Sequence, residues 1–231
     1  MKRALPYLNE SPSKTFIADA YAAATKIKAA YGDIVKAAAA STGVHPTILV
    51  GFMTIENDQV KPEAKSYSCT PKRDATSDCY VGLLQMGAET AFDTLKAQVA
   101  GGCTPAETAI INKYLPGLIK GAGTVGLYTT WKKPVYAALM KAEFSIWLGA
   151  LHLAQLMKRT TDSDGDFRLD HVIVKYNRGV GNYQKEVVNT GMKNADSATL
   201  AKNLPVLETR AYIVKFVGID GAIMQARKAG F

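Results

Sequence analysis

Residues 48–56 read "ILVGFMTIE", an apolar run that ends in the carboxylate of Glu56. Pro46 can open a helix just before the run, because proline fits the first helical position. Apolar residues then fall on every side of that helix, a pattern typical of a helix at the centre of a core. We therefore predict a buried central helix that the rest of the chain packs around, with Glu56 at the point where it leaves the core.

The position of Glu56 leaves two interpretations open. A carboxyl group at the end of a buried helix faces a low dielectric on one side, which disfavours the charged form and raises its pKa. A raised carboxyl pKa is what a general acid needs near neutral pH. The alternative is a glutamate that caps a helix or forms an ion pair at the surface. Position alone does not decide between them.

Helical periodicity recurs through most of the chain. Apolar residues spaced by three and four predict two helices in 15–40, broken near "AYGD". Further helices are predicted at 88–99, in "PAETAIINKYL", over 136–159, in "LDHVIVKYN" and in "LPVLETRAYIVKFVG". Residues 57–81 are polar and rich in turn residues, which predicts a long loop with at most a small β-ribbon. The expected fold is mostly α, a lysozyme-like single domain over 1–231 with an N-terminal helical extension (1–29) and an insertion (100–136).

Charge and hydropathy exclude several classes of function. Lys and Arg number 28 against 20 Asp and Glu, a net charge of +8 that attracts polyanions. The basic residues and the eleven tyrosines are scattered rather than arranged in a stripe, so we expect no nucleic-acid binding. Pro6 and Asn9 interrupt the first apolar segment, so no secretory signal is expected. No window reaches about eighteen uninterrupted apolar residues, so no membrane-spanning segment is expected.

Three cysteines exclude a disulfide framework of the small secreted type. Cys69 and Cys79 flank a short polar loop, and they would form a disulfide in an oxidising compartment or stay reduced elsewhere. No partnered base accompanies Cys103, so thiol catalysis is not predicted.

The acidic loop "TDSDGDFRLD", residues 161–170, invites comparison with a calcium site. The EF-hand spacing fails, because Phe167 stands where the sixth-position glycine is required, and we interpret the loop as a solvated turn. The three histidines lie on different predicted helices or at their ends, without the paired spacing of a zinc site. These are His45, His152 and His171. No metal and no organic cofactor is predicted.

Four segments occur in this order: "YGDIVKAAAASTGVHPTILVGFMTIEN", "VGLLQMGAETA", "VKYNRGVGNY" and "LPVLETRAYIVKFVG". Together they resemble the catalytic domain of the soluble lytic transglycosylases, lysozyme-like enzymes that cleave peptidoglycan. The first is similar to the helix pair that ends in the family's catalytic Glu-Ser, with Asn57 in place of the Ser. The others are similar to its Gly-Leu-Met-Gln motif, its Ala-Tyr-Asn-Ala-Gly motif and its closing Pro-x-x-Glu-Thr-x-x-Tyr-Val helix. The matching residues of these three are Gly82, Leu83, Gln85, Thr90, Ala91, Tyr176, Asn177, Gly179, Glu208, Thr209 and Tyr212.

The chain also departs from the family pattern. Gly87 and Ala88 stand where the family has Met-Pro, and Arg178 stands where it has a small residue. These differences alter the shape and the charge expected of the sugar groove.

The resemblance implies that Glu56 acts alone, first as acid and then as base. Protonated Glu56 would give its proton to the oxygen between N-acetylmuramic acid and N-acetylglucosamine, while the muramic 2-acetamido group supports the cationic centre. The resulting carboxylate would take the proton of the 6-hydroxyl, which closes a 1,6-anhydro ring without water. Tyr176 is implied as the second catalytic residue, with its hydroxyl beside Glu56 or the acetamido group.

The resemblance also implies a substrate groove. Its candidate binding residues are Leu84, Gln85, Met86, Asn177 and Glu208. Gln85 offers both an amide donor and an acceptor. Leu84 is expected to pack rather than bind, Asn177 to make a structural bond, and Glu208 to serve either purpose.

Two alternatives remain open at this point. A goose-type hydrolysing muramidase shares the fold but needs a further carboxylate to activate water, and the candidates are Asp58, Glu63, Asp74 and Asp78. The other is a non-catalytic wall-binding or structural virion protein that kept the fold.

The expected partner is the glycan strand of peptidoglycan, and the expected state is a monomer. A substrate in the periplasm and no expected signal segment together suggest a bacteriophage lysis enzyme released from the host cytoplasm, or a virion-associated one. A mature chain whose signal has been removed would look the same.

Overall fold

A computed structural model of the protein describes residues 8–64, 79–121, 123–160 and 168–231. Within these ranges the chain is mostly α, as the sequence predicts, and forms a single domain. Its elements are α1 (Lys14–Thr42), α2 (Pro46–Glu56), α3 (Ala88–Gly101), α4 (Pro105–Tyr114), β1 (Ile119–Gly121), β2 (Thr124–Val125), α5 (Tyr128–Leu139), α6 (Ala142–Lys158), α7 (Leu169–Tyr183), a π-helical turn (Gln184–Val188), a 3-10 turn (Met192–Asn194), α8 (Ser197–Asn203), α9 (Leu207–Val217) and α10 (Ala222–Lys228). None of the helices described is both long enough and apolar enough to cross a bilayer.

The predicted central helix is α2. The His45 side chain caps its first turn, because Nδ1 accepts a hydrogen bond from the Thr47 N–H at 3.2 Å. Every residue from 47 to 54 is buried, and α2 packs against α1, α6, α9 and α10. The prediction of a buried helix is therefore confirmed, and Glu56 is its last residue.

The two helices predicted in 15–40 are in fact one. α1 runs for 29 residues with Gly32 inside it. Ile27 and Val35 lie about two turns apart on its inner face, and both are fully buried. Packing against α2, α6 and α10 on both sides of Gly32 outweighs the roughly 1 kcal/mol that a glycine costs a helix. The same helix passes through residue 29, so the predicted extension is continuous with the domain.

The single helix predicted over 136–159 is divided. α5 ends at Leu139, and Lys141 is extended (φ −96°, ψ 120°) before α6 begins. A tertiary contact lies at the break. The backbone of Gly82 lies so close that a Cβ there would be 2.5 Å from the Leu139 carbonyl oxygen and 2.6 Å from Ser145 Oγ. The loop that contains Gly82 therefore packs against the junction of α5 and α6.

Among the described residues, the β-ribbon lies in 100–136, and residues 65–78 of the loop in which the sequence predicted at most a small ribbon lie outside the described part of the chain. In the described part of 57–81, the pairing present is the isolated bridge between Val81 and Met86. The 100–136 segment forms α4, the antiparallel ribbon β1–β2 and the start of α5. β2 and α5 pack on α3, so this segment is built into the domain.

The last helices bring the predicted motifs together. α7 contains a sharp change of direction at Gly179 (φ 77°, ψ 158°), a conformation that only glycine adopts readily. α9 ends before Gly218, as the sequence predicts, and contacts both α2 and α7. α8 and α10 are short helices that the sequence pattern did not predict, and α10 packs on α1 and α2.

Candidate active site

Glu56 lies in a cleft of about 880 Å³. The cleft is bounded by the end of α2, the chain that follows it, the turn at Gln85 and the facing parts of α7 and α9. The predicted site residues that line it are Glu56, Asp58, Glu63, Gln85, Tyr176, Asn177 and Glu208. The fold therefore brings together residues that are far apart in the sequence.

The carboxylate of Glu56 is held by one tyrosine. The Tyr212 hydroxyl, buried on α9, donates a hydrogen bond to Glu56 Oε1 at 2.7 Å. Phe52, one turn earlier on α2, lies behind this pair, with ring centroids 4.6 Å from Tyr176, 6.1 Å from Tyr212 and 4.5 Å from Phe216. This aromatic cluster excludes water from the inner side of the carboxyl group.

Burial raises the pKa of Glu56 from 4.5 to about 7. The hydrogen bond from Tyr212 opposes the rise in pKa, and the negative charge of Glu208 adds to it. Among the residues described, no lysine or arginine forms an ion pair with Glu56. A carboxyl group in this state holds a proton at neutral pH and can also release it.

Tyr176 lies near Glu56, but its hydrogen bond goes elsewhere. Its hydroxyl donates to the Leu84 carbonyl oxygen at 2.5 Å, and burial and the charge of Glu56 raise its pKa well above the usual value. The hydroxyl placed on Glu56 is that of Tyr212, a residue that the motif comparison matched without assigning it a role. The available signal was its spacing on α9, one turn after Glu208.

A tight turn holds Gln85 at the cleft. Val81 and Met86 bond to each other at 3.1 Å in both directions, and Gly82 (φ 88°) and Gln85 (φ 44°) both have left-handed conformations. Gln85 Nε2 donates to the carbonyl oxygens of Ala64 at 3.0 Å and Gly82 at 2.8 Å, and these bonds hold an otherwise strained backbone. Because both bonds use the Gln85 amide, its Oε1 is the atom left to accept a hydrogen bond from a ligand.

Leu84 and Met86, expected in the substrate groove, are buried side chains. Leu84 packs so closely on α6 that a Cβ at Gly149 would lie 2.3 Å from its Cδ1. Its part in the site is the backbone carbonyl that anchors Tyr176. Met86 lines a neighbouring cavity rather than the cleft around Glu56.

The two asparagines of the cleft make structural bonds. Asn57, which stands where the family has serine, is buried, and its Nδ2 donates to the carbonyl oxygens of Lys61 at 2.7 Å and Gly82 at 3.3 Å. Asn177 accepts a hydrogen bond from Thr209 Oγ1 at 2.6 Å, which joins α7 to α9.

The carboxylates considered for a hydrolytic reaction fall into two groups. Asp58 and Glu63 line the cleft with exposed side chains, and Glu208 is exposed on its far side. Asp74 and Asp78 lie outside the described residues.

The described residues bear on part of the cysteine prediction. Cys69 lies outside them, Cys79 is buried and disulfide-bonded, and Cys103 is a free thiol. The aspartates at 162, 164 and 166 also lie outside the described residues. Within the described ranges, no group of three or more His, Cys, Asp or Glu side chains is close enough to hold a metal ion.

A comparison with known protein families finds no matching family, and a comparison with curated proteins finds no significant match. The arguments for function are therefore the chemistry of the cleft and the motifs that form it.

Proposed function

We propose that this protein is a peptidoglycan lytic transglycosylase, which cleaves the β-1,4 bond between N-acetylmuramic acid and N-acetylglucosamine. The observation that carries the proposal is Glu56, a carboxyl group at the end of a buried helix, in an open cleft, with a pKa raised to about 7. The four-motif resemblance to the soluble lytic transglycosylases supports the same reaction. The motif residues Gln85, Tyr176, Asn177 and Glu208 line the cleft beside Glu56.

The proposed reaction uses one carboxyl group twice. Protonated Glu56 donates to the bridging oxygen as the bond from this oxygen to C1 of muramic acid breaks, and the 2-acetamido group stabilises the cationic carbon. The Glu56 carboxylate then removes the proton of the 6-hydroxyl, whose oxygen bonds to C1 and closes the 1,6-anhydro ring. Glu56 ends protonated, as it began, and no water is consumed. A residue that reverses its role in this way works best with a pKa close to the operating pH, which fits the raised value of Glu56.

The partners of Glu56 fit these two roles. Tyr212 fixes one carboxyl oxygen by its hydrogen bond, which leaves the other oxygen, Oε2, for the substrate. The Phe52 cluster keeps the inner side dry, which disfavours the free carboxylate before the proton is given. Tyr176 forms the wall between Glu56 and the Gln85 turn, and is proposed to position the sugar rather than the acid.

The proposed substrate also indicates where the protein acts. Peptidoglycan lies in the bacterial cell wall, and we propose a bacteriophage lysis enzyme or a virion-borne enzyme. The net charge of +8 favours adhesion to the anionic polymers of a bacterial envelope.

Product analysis tests the reaction directly. Purified peptidoglycan digested by the protein should yield fragments that end in 1,6-anhydromuramic acid, detected by mass spectrometry. Glu56→Gln should lower the rate by roughly 10²- to 10⁴-fold, because it removes the proton that is transferred. Glu89→Gln is the matched control, since Glu89 is an exposed glutamate on α3 outside the cleft, and should leave the rate unchanged.

The goose-type muramidase is the second candidate, because Asp58 and Glu63 line the same cleft as Glu56. A hydrolase would leave reducing ends, and Asp58→Asn or Glu63→Gln would then abolish activity. If intact walls bind the protein but are not cleaved under any condition, the non-catalytic alternative replaces both.

A further inference from the structure

A second cavity of about 310 Å³ adjoins the cleft. The residues that line both cavities are Tyr80, Gln85, Tyr176 and Asn177, so the two are arms of one groove. The arm at Glu56 is mainly acidic. The charged residues that line the second, which we name the basic arm, are Asp93, Arg159, Lys175 and Arg178.

Lys175 is the innermost charge of the basic arm. It is 7% exposed, and its Nζ lies 4.5 Å from the centre of the Tyr183 ring. Its one hydrogen bond to a described residue is a long one, 3.3 Å, to the Arg159 carbonyl oxygen. No carboxylate in the described part of the chain pairs with it. An ammonium group has three donors, and a buried cation without a counter-ion is costly. Lys175 is thus suited to bind an anion.

Other positive charges lie near Lys175. Burial, and then the positive charges of Arg159 and Lys193, lower the pKa of Lys175. Arg178 is neutralised by Glu186, with Nη2 2.7 Å from Oε1, and Asp93 is exposed at the rim. Among the residues that the structure describes, the charges at the inner end of the arm are therefore mainly positive.

His152 adds a hydrogen-bond acceptor to the same arm. Thr94 Oγ1 donates to the Thr90 carbonyl oxygen at 2.8 Å, and its single proton is used in that bond. The contact of 3.0 Å between Thr94 Oγ1 and His152 Nδ1 must then be donated by the histidine. Burial lowers the pKa of His152 to about 4, so the ring is neutral at pH 7 and its Nε2 is an acceptor.

We infer that the basic arm binds a carboxylate of the peptide branch carried by the glycan strand in the cleft. Lys175 receives the carboxylate, Arg159 approaches it from the rim, and His152 Nε2 accepts from a peptide N–H. A cavity of this size suits one or two peptide residues. The muramic acid of the proposed substrate carries such a peptide, so the inference rests on the proposed function for the source of the ligand. It adds that the protein prefers strands whose peptide carboxyl groups are free.

Binding of a non-cleavable ligand tests this inference apart from catalysis. Isothermal titration calorimetry would compare N-acetylmuramyl-L-alanyl-D-glutamate with the same compound whose carboxyl groups are converted to carboxamides. Neither contains a glycosidic bond. The wild-type chain should bind the carboxylate form about tenfold more tightly, since charge-assisted hydrogen bonds are among the stronger ones.

Three variants locate the effect. Lys175→Met keeps the volume of the side chain and should remove the preference, and Arg159→Gln, at an exposed position, should reduce it without affecting the core. Lys185→Gln removes one charge from an exposed site outside the arm and should keep the full preference.

Equal affinity of the wild-type chain for the two ligands would overturn the inference, as would an unchanged preference in both Lys175→Met and Arg159→Gln. The proposed reaction is judged separately. A protein that forms anhydro products but binds both ligands equally is a transglycosylase without this binding site. A protein that prefers the carboxylate but cleaves no wall has the site without the reaction.

Discussion

Glu56 and Asp170 are two acids at the ends of core helices, and their surroundings are opposite. Glu56 ends α2, and its hydrogen-bond partner among the described residues is neutral, the Tyr212 hydroxyl. Asp170, in the first turn of α7, is 0% exposed and accepts hydrogen bonds from Arg168 Nε at 3.1 Å, from Arg168 Nη2 at 2.6 Å and from Ser197 Oγ at 2.9 Å. Burial is thus common to both, and the partners differ.

The difference teaches what makes a buried carboxyl group reactive. The charge of Asp170 is balanced by a guanidinium and fully hydrogen-bonded, so it stabilises the junction of α7 with the segment before α8. Glu56 lacks a cation among the described residues and opens onto a cleft, so burial acts on its proton instead. The buried carboxylate of Asp170 contributes to the stability of the fold, whereas burial at Glu56 raises the pKa of the carboxyl group.

The largest effect expected from this comparison is on stability at Asp170. Asp170→Ala should lower the free energy of unfolding by about 3 kcal/mol, because it leaves the Arg168 guanidinium and the Ser197 hydroxyl without their partner. Urea denaturation followed by circular dichroism would measure the change. The control is Asp196→Ala, the exposed cap of α8, for which a clearly smaller loss is expected. Similar losses in the two variants would contradict the assignment of Asp170 as a structural ion pair.

The sequence predicted the centre of this molecule better than its edges. The apolar run from 46 to 56 permits only a buried helix, and its boundaries follow from Pro46 and from the polar chain after Glu56. The break before α6 could not be predicted, because helix-forming residues continue through Met140 and Lys141, and the contact of Gly82 with Leu139 at the break joins residues far apart in the sequence. The local sequence pattern therefore predicts the bounds of a helix only where contacts with distant residues do not change them.

The same limit applies to the candidate site. The motifs identified Glu56 and the residues that line its cleft, since their chemistry and order are visible in the sequence. Two tyrosines, Tyr176 and Tyr212, approach Glu56 from α7 and α9, and the hydroxyl that reaches the carboxylate is set by the packing of these helices, which the sequence does not show. The basic arm was missed for a related reason, because Arg159 and Lys175 come from different helical segments.

Substitution of Glu56 should change the free energy of unfolding by less than substitution of Asp170, and should raise it rather than lower it. Its pKa in the folded chain, about 7, lies above the ordinary value of 4.5. Below pH 4.5 Glu56 is protonated in both the folded and unfolded states, and stability is lost as the pH rises towards 7, because the unfolded chain releases the proton more readily. Glu56→Gln should therefore stabilise the protein by about 2 kcal/mol at pH 8, allowing for partial exposure, and by almost nothing at pH 4.

Unfolding measured at both pH values checks this prediction. Glu89→Gln, at an exposed site, should show no such pH dependence. A Glu56→Gln variant that is destabilised at pH 8 would mean that the carboxylate is stabilised by the fold, as at Asp170, and the comparison between the two acids would fail.

The smallest effect concerns the hydrogen bond that Tyr212 donates to Glu56. Tyr212→Phe removes a hydrogen bond that favours the charged form, so the pKa of Glu56 should rise further. Since the reaction starts from protonated Glu56, the alkaline limb of the pH–rate profile should move to higher pH. The maximum rate should fall about tenfold, because the carboxyl group is no longer oriented.

Tyr176→Phe tests whether the Tyr176 hydroxyl shapes the cleft, while the Tyr212 hydroxyl orients Glu56. Its hydroxyl anchors the Leu84 carbonyl instead of Glu56, so its loss should weaken substrate binding and raise KM while the alkaline limb stays in place. If the alkaline limb of the pH–rate profile moved in Tyr176→Phe but not in Tyr212→Phe, the roles assigned to the two tyrosines would have to be exchanged. Glu56 would then depend on Tyr176, to which the resemblance assigns a catalytic role, and not on Tyr212, whose hydroxyl lies against it.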